Sequence, residues 1–208
     1  VFAPTLTGLG ERSHLSGPDI DLALHTEDVV NVIRFEGLED VALVGHSYGG
    51  MVITGVADVV PDAIGSLVYL DAHVPEDGES MQDLTDPTIA AARTEVAART
   101  GFVPPVSAAE FGVNPADREW VDAMCVPQPA ATITQPLALS GGIDRCSAVR
   151  AYIVASRGAP GRVFPALAAR LRTDPDWIVH EIESGHDVMI DAPGELARLL
   201  CSVVADRT

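Results

Sequence analysis

Ser47 stands between two glycines in Gly45-His46-Ser47-Tyr48-Gly49, directly after the apolar run Val41-Ala42-Leu43-Val44 and just before Met51-Val52-Ile53. A strand, a serine in a G-x-S-x-G turn and then a helix is the arrangement that lifts a serine hydroxyl clear of the backbone as a nucleophile. So tight a turn strains the serine. Side chains two residues before and after it are expected to strike the neighbouring strand and helix, so glycine stands at 45 and 49. The helix that follows aims its free N–H groups and positive dipole end at the reacting oxygen.

A serine alcohol is a weak nucleophile at neutral pH and needs a base within hydrogen-bond reach. Of six histidines, His186, in Ser184-Gly185-His186-Asp187, follows the last predicted strand and precedes the final helix. Strand C-termini of a parallel sheet emerge at one edge, so this loop and the serine turn open on the same side. His14, His25, His46, His73 and His180 have plainer readings. His25 falls at a helix start, His180 alternates on a strand, and the His46 ring is directed away from its neighbour Ser47.

The carboxylate that would hold the imidazole has two possible places in the order Ser…Asp/Glu…His. The loop after the predicted strand 151–155 reads Ser156-Arg157-Gly158-Ala159-Pro160 and has no acid. Asp71, at the end of the strand after the serine helix, lies on the required edge and is the predicted third member. The other reading of Asp71 is a cap on the turn Ala72-His73-Val74-Pro75. Asp144, Asp174 and Asp187 are the remaining candidates, Asp187 adjoining the histidine too closely to orient its far side.

These residues need a scaffold that holds three loops at one edge. From about Asp21, Leu24, Val29, Val30 and Ile33 recur at helical steps, and Gly37 can close that helix in a left-handed conformation. The strand 41–44, a helix to about Val60 stopped by Pro61-Asp62, and the strand 67–71 make a βαβ unit. From Pro75 to about Pro136 the chain becomes alanine-rich. Helices are predicted at 88–99 and 116–125, with five prolines in the loops between and no strand-like run. This stretch reads as a helical cap, in which Phe102, Phe111 and Trp120 either line a pocket or form the cap's own core. Alternation resumes with a strand at 151–155, a helix at 163–171, a strand at 177–182 and a closing helix at 193–204 with Pro193 in its first turn. The prediction is one α/β domain, its core 1–74 and 137–208, its cap about 75–136. Val1-Phe2-Ala3-Pro4 reads as the end of a strand, so further strands are expected upstream.

The bulk properties narrow the partners. A chain of 208 residues that is 47% hydrophobic and 21% charged can bury a proper core. A net charge of −17 argues against nucleic acid and anionic membranes. Cys125, Cys146 and Cys201 are odd in number with no C-x-x-C pair, so reduced, mostly buried thiols and a cytoplasmic setting are expected. No apolar run reaches the roughly 18 residues of a membrane span, and no leader-type segment opens the chain. His and acidic residues show no metal-ligand spacing along the sequence, so neither metal nor cofactor is expected. A small-molecule ester is the expected partner, and a homodimer is compatible with it.

Taken together, the motifs resemble the α/β-hydrolases, and among them the small esterases related to plant hydroxynitrile lyases, methylesterases and methylketone synthases. The matching pieces are Ala3-Pro4-Thr5-Leu6-Thr7-Gly8-Leu9-Gly10-Glu11-Arg12-Ser13, the serine turn through Gly55, Tyr69-Leu70-Asp71-Ala72, Val74-Pro75-Glu76-Asp77-Gly78 and Gly185-His186-Asp187. The resemblance implies Ser47 as nucleophile, His186 as base and the backbone N–H of Tyr48 in the oxyanion hole. It also implies a second oxyanion donor from a loop upstream of Val1. Arg12, His14 and Trp120 are the candidate substrate contacts. The expected reaction is hydrolysis of an ester or lactone through an acyl-enzyme. A lyase on this scaffold would be helped by a pocket lysine, but all 13 basic residues are arginine. A ligand-binding member without catalysis is the other alternative.

Overall fold

Asp21 starts the first helix by accepting the N–H of Leu24 on its carboxylate, and α1 runs over Leu22–Phe35. It stops at Gly37, which adopts a φ of 61° while the Leu38 N–H returns to the Ile33 carbonyl. That left-handed closure is the one the glycine predicts. The loop before α1 is more ordered than its composition implies, since Gly10–Leu15 forms a 3₁₀ helix.

The computed structural model describes residues 1–157 and 163–205. After α1 come β1 (Val41–His46), α2 (Gly49–Val59), a 3₁₀ turn at Pro61–Ala63 and β2 (Ile64–Leu70). The next stretch holds α3 (Pro87–Thr100), β3 (Phe102–Val103), α4 (Arg118–Met124), β4 (Gln128–Pro129) and α5 (Ala131–Thr134). The chain then enters β5 (Val149–Ala155), α6 (Val163–Leu171), β6 (Trp177–Ile182), α7 (Val188–Asp191) and α8 (Pro193–Ala205). Residues 158–160 of the acid-free loop after β5 lie outside the described residues.

The main sheet has the order β1-β2-β5-β6, with every pairing parallel. Parallel strands covered on both faces carry continuous apolar runs, and β2 and β5 do so. Leu67, Val68, Tyr69 and Leu70 of β2, and Ala151 to Ala155 of β5, are all buried. α2 is buried almost all round, from Gly50 to Asp58, because it lies between the sheet and α1.

One feature of the stretch after β2 differs from the sequence reading. β3 and β4 pair antiparallel, Phe102 opposite Pro129 and Val103 opposite Gln128, where no strand was expected. Pro129 lacks an N–H, which confines such a pairing to a short edge ladder. The stretch also leaves and rejoins the sheet side at one place: the Gly78 N–H donates to the Leu137 carbonyl at 2.8 Å, and the Leu137 N–H donates to the Glu79 carbonyl at 2.9 Å. The thiols differ as well, for only Cys146 is buried while Cys125 and Cys201 are exposed, all three unpaired. Among the described residues no helix is long and apolar enough to cross a membrane.

Candidate active site

Ser47 follows β1 directly and holds a φ of 54°, a left-handed conformation that costs a non-glycine residue energy. The surrounding contacts hold it there. Its N–H donates to the Leu70 carbonyl at 3.2 Å, and its carbonyl accepts from His73 N at 3.2 Å and Gly50 N at 3.1 Å. The turn is therefore stitched to the end of β2 on one side and to α2 on the other.

The glycines divide the work differently from the expectation. A Cβ on Gly45 would lie 2.5 Å from the Gly49 carbonyl oxygen, so glycine is required there. A Cβ on Gly49 would meet nothing within 4 Å. Gly50 carries the second constraint, since a side chain there would run into the His73 carbonyl and come within 3.1 Å of the Ala72 methyl. α2 and the turn after β2 can approach closely only because residue 50 has no side chain.

That turn carries Asp71, which is fully buried with a φ of 40°. One carboxylate oxygen, Oδ1, accepts the Ala155 N–H at 3.1 Å at the end of β5. The other, Oδ2, lies 2.7 Å from Nδ1 of His186. Asp144 and Asp174 line a separate cavity and do not approach His186. Asp187 faces His46 instead, at 3.9 Å.

His186 is 1% exposed and held on every side. Its ring stacks on Phe164 (centroids 5.4 Å apart, planes 6° apart) and leans on Phe111 at 4.6 Å and His46 at 4.4 Å. The His186 N–H donates to the Phe111 carbonyl at 2.8 Å. Gly185 permits this approach, since a Cβ there would come within 2.6 Å of the Gly112 carbonyl oxygen. Asp191 ties the same loop to the 111–114 turn by accepting from Gly185 N, Asn114 N and the Asn114 side chain. His46 does not point away from the site: its Nε2 donates to the His186 carbonyl at 3.0 Å.

Burial sets the protonation states. Desolvation pushes the His186 imidazole below its ordinary pKa, favouring the neutral base, and pushes the Asp71 carboxyl above its own. His46 is held neutral, down to about 3, first by burial and then by the neighbouring His186. With Nδ1 turned to Asp71, Nε2 is the nitrogen left to accept a proton.

Ser47 and His186 line one cavity of about 160 Å³, together with His73, Met81, Ile89, Arg93, Phe111 and Phe164. The candidate contacts Arg12, His14 and Trp120 do not line it. Arg12 donates to the Thr5 carbonyl at 2.8 Å and lies 3.6 Å from Asp28, so it braces its own loop against α1. His14 is exposed beside the Glu11 carbonyl, and Trp120 is 57% exposed. Of the three aromatic residues, Phe111 reaches the cavity. Phe102 lines a different groove with Val96 and Pro104.

Sequence reasoning passed over His25, His73, Arg93 and Phe164. His25 sits in the first turn of α1, fully buried, between Tyr48 and the Thr7 carbonyl. No local signal marks Arg93 or Phe164, which reach the cavity only through tertiary packing. Spacing along the chain also conceals that His46, His186 and Asp187 each place a potential ligand atom within 4.8 Å of the others. Both imidazoles are already hydrogen-bonded within the protein, to the His186 carbonyl and to Asp71.

With this geometry in place, comparison with known proteins decides the kinship. A model of the alpha/beta hydrolase family matches residues 1–199. The chain belongs to the alpha/beta hydrolase family. It is 44% identical to a carbendazim-hydrolyzing esterase of Nocardioides sp. strain SG-4G, across 98% of this chain and 87% of that protein. A lipase of Mycobacterium tuberculosis is 27% identical across 100% of this chain and 84% of its own length. Among solved structures, an extracellular alpha/beta-hydrolase from a Paenibacillus species superposes with a TM-score of 0.83 at 22% identity, covering 96% of this chain and 85% of that one. Tomato methylketone synthase I with 2-tridecanone gives 0.72 at 20% identity, covering 98% and 86%. At those identities the structures speak for the fold alone.

Proposed function

We propose that this chain, a carboxylic-ester hydrolase by its family and relatives, works through an acyl-enzyme on Ser47, with His186 as base and Asp71 as the carboxylate that orients it. The observation that carries the reading is the buried 2.7 Å contact between Asp71 and His186 Nδ1 beside a serine held at positive φ. Ser47 Oγ attacks the ester carbonyl while His186 Nε2 takes its proton. The resulting imidazolium is stabilised by Asp71 and returns the proton to the departing alkoxide. Water then repeats the sequence on the acyl-enzyme and releases the acid. The Tyr48 N–H, at the start of α2, is the proposed protein donor to the developing oxyanion, with the helix dipole behind it.

Residues 75–136 form the proposed cap, whose 111–114 turn holds the histidine loop and whose α3 walls the cavity. The proposed substrates are small neutral esters, and the 44% identical relative makes carbendazim a natural compound to include. A cytoplasmic setting completes the reading, since two exposed and unpaired thiols suit a reducing compartment.

The test is turnover of p-nitrophenyl esters and carbendazim by the wild type and by Ser47→Ala, alongside labelling with a fluorophosphonate probe. Turnover and labelling are both expected to vanish in Ser47→Ala. Turnover that survives the substitution would overturn the acyl-enzyme reading.

A further inference from the structure

Resting on that reading of the cavity, the geometry points to Arg93 as a specificity residue that binds a neutral hydrogen-bond acceptor of the substrate, a carbonyl oxygen or ring nitrogen remote from the scissile ester.

Arg93 lies in α3 and lines the cavity that Ser47 and His186 open into. It is the arginine of that wall, and among the described residues it makes no hydrogen bond or ion pair. Arg12 pairs with Asp28, Arg99 with Glu95, Arg157 with Asp191 and Arg172 with Glu181, while Arg34, Arg150 and Arg170 are likewise without a partner among the described residues but do not line this cavity. Burial lowers the pKa of Arg93, so its donors have left part of their water behind without a protein acceptor replacing it. A partly desolvated guanidinium without acceptors gains strongly from one that a ligand brings.

Two carboxylates share the wall, and both are committed elsewhere. Asp86 Oδ1 accepts from Thr88 N at 2.9 Å and so caps α3. Glu110 Oε2 accepts the Ser107 hydroxyl at 2.6 Å. Their charges remain in the cavity, outnumber the one of Arg93 and repel an anion, as does the net charge of −17. A neutral acceptor meets the guanidinium without that repulsion. Ser47 and His186 aside, the remaining wall is mostly apolar, with Met81, Ile89, Val106, Phe111 and Phe164. His73 and Thr85 are its other polar side chains, and the Thr85 hydroxyl donates to the Met81 carbonyl, so Arg93 is the cationic donor that can tell a polar substituent from a methylene.

Two isosteric pairs test this. On the acyl side they are p-nitrophenyl pentanoate and p-nitrophenyl 4-oxopentanoate, and on the alcohol side butyl acetate and 3-oxobutyl acetate. In each pair a ketone replaces a methylene. The wild type is expected to favour the ketone in one pair by about tenfold or more in kcat/KM, because a site with an unpaired, partly desolvated donor discriminates against the analogue lacking the acceptor. Arg93→Met is expected to abolish that preference, bringing the ratio of the two kcat/KM values to about one. Arg93→Gln, which keeps a donor, should restore part of it. Unfolding midpoints of both variants establish that the fold is intact. No ketone preference in either pair, a preference that survives Arg93→Met, or a stronger preference for mono-p-nitrophenyl succinate would each overturn the inference and leave the esterase reading standing. Absence of turnover and of fluorophosphonate labelling in the wild type would overturn both.

Discussion

The phenol of Tyr48 donates to Nδ1 of His25 across 3.0 Å, tying the residue after Ser47 to the first turn of α1. The direction of the bond is fixed from the far side of the ring. Nε2 of His25 lies 2.9 Å from the Thr7 carbonyl, which can only accept, so Nε2 carries the proton and Nδ1 must accept from Tyr48. Tyr48→Phe would leave that buried nitrogen without a partner. The expected loss is about 1–3 kcal/mol of stability, read from urea unfolding, with ester turnover changed by less than about tenfold. An unchanged midpoint would show that the bond contributes nothing net.

Asp71→Asn separates holding the ring from choosing its tautomer. The amide can keep its oxygen on the Ala155 N–H only by turning its NH₂ toward His186, which forces the imidazole proton onto Nε2. A histidine in that tautomer cannot take the serine proton. The fall in kcat is expected to be about 10³–10⁴-fold with the fold preserved. A fall of less than tenfold would remove Asp71 from the catalytic role proposed for it.

The serine turn makes an asymmetric prediction about its glycines. Gly49→Ala is expected to be tolerated, within about 0.5 kcal/mol, because its Cβ would meet nothing and alanine suits a helix. Gly45→Ala and Gly50→Ala are expected to destabilise the fold by more than about 2 kcal/mol or to prevent it, since backbone rather than a flexible side chain stands in the way. Thermal melts of the three variants measure the order, and equal effects at 49 and 50 would contradict it.

Acid is expected to unfold the protein from an unusually high pH. Burial depresses four imidazoles in the folded state: His25, His46 to about 3, His73 to about 4, and His186. Unfolded histidine titrates near 6.5, so below that value the unfolded chain binds more protons. Stability is then full above about pH 6.5 and falls as pH drops toward 4. Asp71 and Asp187, both raised first by burial, work in the opposite sense by holding their protons longer in the folded state. They are two groups against four. Urea midpoints at pH 8, 6.5 and 5 should decline in that order; a flat series would show that the imidazoles are not desolvated as the packing implies.

For the reaction itself, the same burial of His186 places the acid limb of kcat/KM below the ordinary histidine value. Initial rates measured before unfolding sets in should hold through pH 6. An inflection at 6.5 or above would mean a base more exposed than the stacked ring between Phe111 and Phe164.

The sheet and the candidate triad were legible because their signals are local. Apolar runs marked β2, β5 and β6, the serine turn had its glycines, and Asp71 and His186 could be placed at one edge from strand order alone. β3, β4, α5 and α7 span two to four residues each, too few for periodicity to register. The choice between Gly49 and Gly50 depends on where the His73 carbonyl lies, which is a tertiary fact. Arg93 looks like any solubilising arginine in an alanine-rich helix, whereas Arg12 stands in a motif yet spends its donors on Thr5 and Asp28.

The paired hydrogen bonds at Gly78, Glu79 and Leu137 have a consequence for how such an enzyme diversifies. Because the intervening residues depart and return through a bonded neck, their ends stay together whatever lies between, and lengthening the excursion adds only a slowly growing closure entropy. The stretch is thus a cassette. Exchanging it between relatives at residues 78 and 137 is expected to carry a new specificity onto an unaltered sheet, with the histidine loop's seat on the 111–114 turn and the bonds of Gln135 to Asp21 and Ala23 among the joints every replacement must reproduce.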